Sequence, residues 1–452
     1  MPNDLAPPAP SRRRLLMFWL ASGTSFFLYM HRYAWNIIGL ELQNEYGFSH
    51  TAVDGLGTAF YVTYAFGSIP SGVVVDLFGP HLFLFAIILL WSLTLPLHGM
   101  TGNIYGLGSV RLLFGAAQTG CYPALGQVTR TWFPRAGRTR VQGWVASFFG
   151  RSGGAFSSIL MGTILMGYFH FSWKFSLIVM AVPGVVFALL FLYFFKNSPE
   201  EDPLANEAER ELIRGDERTV NESRGVISTK TALKNFSLRV MVIQQFMNAG
   251  ADVVYTLIMG IYFASLGVAD MKDLGWLVSL PLLGGACGGI FGGILNDWLI
   301  PRIGSRWGRS SVGAVAKFLA AIALFCAISQ PSPERVAVGL FFVKFFTDWT
   351  QPTVWGTATD IGGRFSATVF SIINTAGNVG GIFMPLIFGG LLDFYTEETI
   401  VDGIISKVTD FTPMFMVVGA FYVGAGICWL LVDCTKSVDL PEEESPLDND
   451  NI

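Results

Sequence analysis

Twelve apolar stretches of about 20 residues or more follow one another along this 452-residue chain, and a helix of that length crosses some 30 Å of hydrocarbon. They cover residues 15–40, 52–75, 81–99, 104–127, 140–166, 173–195, 238–266, 274–296, 311–330, 335–358, 365–392 and 412–433, called spans 1 to 12 below. Charged or turn-forming connections separate them at Glu41–Thr51, Pro134–Arg140, Pro301–Arg309 and Glu397–Asp410. Charged residues make up 14% of the chain, against about a quarter in soluble domains. The expected fold is all-α, a polytopic membrane protein of twelve transmembrane helices in two six-helix halves. The 51 glycines suit it, because small residues let membrane helices approach closely.

The distribution of Lys and Arg sets the orientation. Arg12–Arg14, Arg130, Arg135, Arg138, Arg140, Arg302, Arg306 and Arg309 fall on one side, which is therefore cytoplasmic, as are both termini. The expected organisation is a cytoplasmic N-terminus (1–14), a first half (15–195), a cytoplasmic linker (196–237), a second half (238–433) and a cytoplasmic tail (434–452). The linker is charged and reads as a solvated connector, with an amphipathic surface helix over Asn206–Arg218. Arg12–Arg14 before an apolar run mimics a signal peptide, but no small-residue cleavage site follows, so the run is expected to stay as span 1.

Several enzyme and pump classes are excluded. The five cysteines have neither a disulfide framework nor metal-ligand spacing, and read as small buried residues. The five histidines form no nucleophile–base or metal set, and no Walker-type loop is present. No cofactor, metal or nucleic-acid partner is expected.

The halves repeat each other. Gly150, Gly153, Gly154 and Phe156 of span 5 share their spacing with Gly377, Gly380, Gly381 and Phe383 of span 11. Arg111 and Gln118 stand seven apart, as do Lys344 and Gln351, and Gly72 and Asp76 match Gly293 and Asp297. Parallel repeats of this kind mark transporters whose site lies at the midplane between the halves.

Charge inside the spans points to the ligand. Arg32, Arg111, Arg151, Lys317 and Lys344 all interrupt apolar segments, and such a charge costs several kcal/mol unless it faces a wet cavity or a partner. A chain that accepts this cost repeatedly, mostly with cations, is built to hold an anion. Guanidinium grips a carboxylate bidentately, so Arg32 and Arg111, whose own half is read as offering no intramembrane carboxylate, are the expected substrate contacts. Arg151, beside a glycine cluster, is expected at a gate, and Lys317 is expected to snorkel or pair. Lys344, Asp348 and Gln351 share one face of span 10; the first two either neutralise each other as an i,i+4 pair or act in coupling. Asp252 of span 7 has no local partner and is expected either to titrate or to bridge the cavity to Arg32 or Arg111. His31 either titrates near neutral pH or is a hydrogen-bonded structural residue. Tyr29, Tyr64, Trp349 and Trp355 are candidates to offer hydroxyls or ring faces to a polyol, with packing as their alternative.

Over all twelve spans the chain resembles a major facilitator superfamily transporter. Gly72, Asp76 and Gly79 fall where that superfamily has its loop 2–3 motif, although Leu77 and Pro80–His81 replace the usual basic residues, and Asp76 is the implied gating residue. Within the superfamily it is most similar to the anion:cation symporters, which include hexuronate and aldonate permeases and vesicular and lysosomal anion carriers. Tyr29-Met30-His31-Arg32, Arg111 with Gly115, Pro123 and Trp132-Phe133-Pro134, and Asn374 with Gly377-Asn378 and Pro385 carry that similarity. It implies that spans 1 and 4 line a central cavity; the expected substrate contacts are then Arg32 and Arg111, with Tyr29, Tyr64, Gln118, Gln351, Asn374 and Trp355 as further candidates. Coupling then falls to His31, Asp252, Asp348 and Lys344, because His31 and Gln118 stand where the family has its proton-coupling carboxylates.

The function expected is alternating-access transport of a small organic anion, a sugar acid or other carboxylate, with a proton, by a monomer in a lipid bilayer, bacterial inner membrane by resemblance. Exchange of organophosphate for phosphate, a carrier needing no proton and a non-transporting sensor are the alternatives.

Overall fold

A computed structural model describes residues 9–214, 228–401 and 404–438. Helical segments occupy all twelve expected spans. Span 1 is two helices, Arg13–Tyr33 and Trp35–Tyr46, broken at Ala34; span 2 is His50–Phe78; span 3 is Pro80–Thr94 with a 3-10 turn Leu95–Gly99. Span 4 comprises Ile104–Gln118 and Cys121–Trp132, bent at Gly120, whose φ of 74° favours glycine. Span 5 runs through Arg135–Gly143, Gly150–Ser158 and two π-helical stretches, Trp144–Phe149 and Ile159–Tyr168, and span 6 is Trp173–Phe194. Span 7 is Phe236–Val253, a π turn Val254–Ile258 and Met259–Ser265. Spans 8 and 9 lie within Met271–Ile328, two helices divided at Gly304; span 10 is Pro333–Asp348 and Thr350–Gly362; span 11 is Ser366–Phe394; span 12 is Thr412–Leu431.

Local chemistry explains several starts. Ser49, Asn103, Ser172, Asn235, Asp270 and Ser332 each cap a helix by accepting from a backbone N–H two or three residues on. Six helices, in spans 3, 6, 7, 8–9, 11 and 12, are long and apolar enough to cross a membrane by length and composition. Large apolar side chains such as Phe66, Ile178, Val182 and Leu189 are exposed on the outside of the bundle, as lipid contact requires. This is a multi-pass membrane protein.

Two expectations need correction, for the cysteines and for the linker, and two of the connections gain detail. The Pro301–Arg309 connection breaks at Gly304, whose φ of 81° is not helical and divides two helices. The Glu397–Asp410 connection is an antiparallel hairpin, β1 (Thr396–Val401) paired with β2 (Ile404–Thr409). Cys287 and Cys326 are exposed and Cys428 is half-buried, so only Cys121 and Cys434 are buried.

The linker is more than a solvated connector. Residues Glu207–Arg214 are helical; the rest of the expected Asn206–Arg218 helix lies outside the described residues. Buried Glu209 accepts from the backbone N–H groups of Arg13 (2.8 Å) and Arg14 (3.0 Å), and Arg13 donates to Asp202 at 2.7 Å. A carboxylate on the exposed N–H groups of a helix start offsets the helix dipole there, and it ties the linker to span 1.

Spans 1–6 meet spans 7–12 closely at the end carrying the hairpin. There Asn36 donates to the Tyr255 carbonyl (3.0 Å), Thr163 to the Lys272 carbonyl (2.7 Å) and Thr58 to the Ile382 carbonyl (3.0 Å). Spans 5 and 8 touch backbone to backbone: a Cβ at Gly162 would stand 2.8 Å from the Gly275 Cα. Asp393 of span 11 accepts from the His50 and Thr51 N–H groups at 2.9 and 2.8 Å, capping span 2 across the seam. Toward the linker end Gly126, Gly143 and Gly293 have open space where a side chain would stand, while a Cβ at Gly289 of span 8 would stand 3.0 Å from Ser147 Cβ of span 5.

Candidate functional site

Two clusters of buried charge lie on either side of span 1. Consecutive residues of that helix, Arg32 and Tyr33, point into different ones.

The first cluster centres on Arg32, 7% exposed. Its Nε donates to Gln118 Oε1 at 2.9 Å, and Gln118 Nε2 donates to the Leu28 carbonyl at 3.3 Å. The guanidinium carbon lies 5.2 Å from the Tyr29 ring centre, 5.0 Å from Phe60 and 4.7 Å from Tyr64. Ring faces attract a cation but do not neutralise it. Among the described residues no carboxylate forms an ion pair with Arg32, and its Nη2 is buried without a partner. Arg111 shares the Phe60 ring, at 4.8 Å, stacks on Trp35 at 4.0 Å and donates through Nε to the Leu56 carbonyl at 3.1 Å. The site therefore holds two cations around one phenyl ring, with neutral partners only.

The second cluster joins the two sets of six spans. Arg151 of span 5 donates to Asp348 Oδ2 (2.8 Å), Asp252 Oδ2 (3.0 Å) and the Tyr33 hydroxyl (2.9 Å). Lys344 lies 2.5 Å from Asp252 Oδ1 and 3.0 Å from Asp348 Oδ1. Two cations and two carboxylates alternate, so the cluster is neutral. Gly285 of span 8 leaves the room that Asp348 Oδ2 fills. Asp252 keeps 27% of its side chain exposed, while Lys344 and Asp348 are enclosed.

These placements sort the sequence-based candidates. Tyr29, Tyr64 and Gln118 surround Arg32, and Arg111 adjoins it. Asp252 does not lack partners, because span 7 packs against cations contributed by spans 5 and 10; its bridge across the seam reaches Arg151, not Arg32 or Arg111. His31 is turned toward span 6, with Nε2 at 3.1 Å from the Met180 carbonyl, away from the Arg32 cluster. Trp355 stacks on Phe370 at 4.3 Å and Trp349 packs among Phe291, Phe345 and Phe346, so neither reaches Arg32. Asn374 is exposed and Gln351 half-buried, and neither makes contact with the arginines. Asp76 sits in the span 2 helix, but its side chain lies outside the described residues. Lys317 neither snorkels nor pairs with a carboxylate among the described residues: it is 0% exposed, donating to Asn248 Oδ1 and, at 3.5 Å, to the Thr347 carbonyl.

Sequence reading missed Tyr33, Phe60 and Trp35. A signal existed for two of them: Tyr29 and Tyr33, and Phe60 and Tyr64, are i,i+4 pairs that stack in the structure at 5.7 Å and 5.7 Å. It also missed Asp54, an intramembrane carboxylate in span 2, so the first six spans are not free of buried acid.

Comparison with known proteins places this architecture. A probable sulfoacetate transporter of Cupriavidus necator is 26% identical over 93% of this chain and 94% of its own length. A probable galactarate/D-glucarate transporter of Bacillus subtilis is 25% identical over 99% of both chains. Among solved structures, a bacterial homologue of the human lysosomal transporter Spinster, in an inward-facing and unoccupied conformation, superposes with a TM-score of 0.70 at 13% identity, covering 94% of this chain and 96% of that one. The nucleoside transporter NupG superposes with a TM-score of 0.62 at 15% identity, covering 92% and 98%. The Major Facilitator Superfamily model matches residues 20–385, most of the described bundle, and the chain belongs to that superfamily.

Proposed function

We propose that this protein is a secondary carrier of a small organic anion, a sugar acid or other small carboxylate, working by alternating access and coupled to a proton. The observation that carries the reading is Arg32: a buried guanidinium held between ring faces, hydrogen-bonded to a neutral amide, with Nη2 unpartnered. A buried cation left in this state lacks the counter-charge that a carboxylate supplies. Relatives named as transporters of sulfoacetate and of galactarate and glucarate support an organic acid in that role.

In this reading residues 15–195 rock against 238–433 around the Arg32 cavity. The positive-inside rule makes the hairpin end the outer face, so the state described is closed outside, where Asp393 caps span 2 and Gly162 meets Gly275. Tyr29, Tyr64, Gln118 and Arg111 complete the anion site. The Arg151–Asp252–Lys344–Asp348 cluster is the link between halves, and Asp252, its more exposed carboxylate, is the seat of the coupled proton. A proton there removes one of the two charges holding Arg151, which frees the seam to rearrange. The carrier acts as a monomer in a bacterial inner membrane.

The test is uptake by purified protein in proteoliposomes, with labelled sugar acids, sulfoacetate and sugar phosphates, with and without an inward proton gradient. Gradient-driven accumulation of a carboxylate, lost in Arg32→Ala, is expected. Accumulation only against internal phosphate makes the protein an exchanger, and saturable binding without flux refutes the carrier reading.

A further inference from the structure

We propose that Asp54 is a proton-binding site that fastens the hairpin end of the bundle when it closes. Asp54 lies one turn into span 2, on the face that packs against span 11, and is 1% exposed. Both of its carboxyl oxygens are enclosed without a hydrogen-bond partner. Span 11 closes directly over them: a Cβ at Gly389 would stand 3.0 Å from Asp54 Cβ and 3.1 Å from Oδ2.

Among the described residues, no cation forms an ion pair with Asp54. From span 11 the charged neighbour is Asp393, itself a carboxylate. Asp393 is already engaged by the His50 and Thr51 N–H groups. On span 2 the nearest titratable group is His50, whose Nε2 lies 3.2 Å from Thr409 Oγ1 of the hairpin and whose Nδ1 lies 3.0 Å from Gln43. From the hairpin, Lys407 acts on His50. From span 4, Arg111 is occupied by the Leu56 carbonyl and the Trp35 and Phe60 rings. Span 1 presents uncharged Gly39 against Val53.

An ionised carboxylate sealed in such a place carries its full desolvation cost and repels Asp393. A neutral carboxyl group carries neither. Parting span 2 from span 11 at this seam would uncover Asp54 and give it water. Closing the hairpin end therefore takes up one proton on Asp54, drawn from the solution on the hairpin side. The site is separate from Asp252: it faces the outer gate and sets which way the carrier faces as external pH changes. This holds the place in the cycle that Gln118 cannot fill, because an amide takes up no proton.

The test is the distance distribution between spin labels at Met100 and Gln330, at the hairpin end of spans 3–4 and 9–10, in full-length protein in nanodiscs with its native cysteines replaced. One proton taken up on closing makes the closed-to-open ratio rise by up to about tenfold per unit fall in pH between 8 and 5. Asp54→Asn is expected to stay closed across that range, and Asp54→Glu to keep the pH response. A flat ratio in the parent protein overturns the inference without any variant, as does an unchanged pH response in Asp54→Asn. The inference needs the two states of the carrier reading: a single distance at every pH and with every anion defeats that reading, whereas two states insensitive to pH defeat only the Asp54 site.

Discussion

Gln118 accepts a hydrogen bond from Arg32 at 2.9 Å, so a neutral amide is the nearest polar partner of a guanidinium enclosed by Tyr29, Phe60 and Tyr64. The resemblance to anion:cation symporters implies glutamate at that position. With glutamine there, Arg32 keeps its charge for a ligand, whereas Arg151, Asp252, Lys344 and Asp348 neutralise one another.

Arg32→Ala should weaken anion binding by about tenfold to a hundredfold, the range for losing a charge-assisted hydrogen bond. Arg32→Lys keeps the charge but not the planar fork, and should recover only part of the loss. Calorimetric titration of the purified protein with the transported anion decides this, and unchanged affinity in both variants would remove Arg32 from the site.

Gln118→Glu should place a carboxylate on Arg32 and compete with the ligand. Affinity at neutral pH should fall by about tenfold or more and recover as acid protonates the new side chain. Titrations at two pH values read the sign. A pH-independent loss would mean that the substitution acts through packing.

The Arg151–Asp252 pair should show strong coupling. Breaking an enclosed pair typically costs about 3–5 kcal/mol, but Asp252 is 27% exposed, so Asp252→Asn alone should cost about 2 kcal/mol once solvent screening is allowed for. A double-mutant cycle with Arg151→Gln, read by thermal or denaturant stability in detergent, should give a coupling energy of about 1–3 kcal/mol. Additive effects would show that the bridge contributes nothing.

Gly275→Val should wedge spans 5 and 8 apart at the hairpin end, since even a Cβ at Gly275 would come within 2.7 Å of Thr163 Oγ1. Overpacking of this kind costs about 1–3 kcal/mol. A matching fall in thermal stability and slower uptake are expected; a variant as stable and fast as the parent would mean that the seam is not packed as described.

Glu45, at the hairpin end beyond span 1, has a pH signature. The hydrogen bond from Lys174, and then that from Trp173 at 2.7 Å, hold its carboxyl below the ordinary glutamate value of 4.5. A depressed carboxylate stabilises the fold above that ordinary value, and the contribution fades as pH falls through the lower folded value. Trp173 fluorescence should therefore change on acidification below pH 4.5 in the parent protein and stay flat in Glu45→Gln. Matching titrations in both would disprove the contact.

Helix positions were legible in the sequence because each depends on neighbours along the chain. Long apolar runs set the spans. The Tyr29–Arg32 and Arg111–Gln118 spacings pointed to residues that the fold gathers into one cluster, since each pair lies on one helical element and the superfamily resemblance brings spans 1 and 4 together. His31 was harder to read: one residue from Arg32 on a helix is about 100° of rotation, enough to turn its ring onto Met180 of span 6.

The sequence by itself determined that this is a multi-pass helical protein with cations set into apolar spans. Only the tertiary structure decided which of those cations keep their charge open. Arg151 meets Asp252 and Asp348, 101 and 197 residues further along, and Arg32 meets an amide and aromatic side chains but, among the described residues, no carboxylate. Coulomb attraction depends on distance in space and on exclusion of water, and neither can be read from residue spacing when the partners lie on different helices. The same holds for Asp54, whose lack of a partner exists only because Gly389, more than 300 residues later, closes over it.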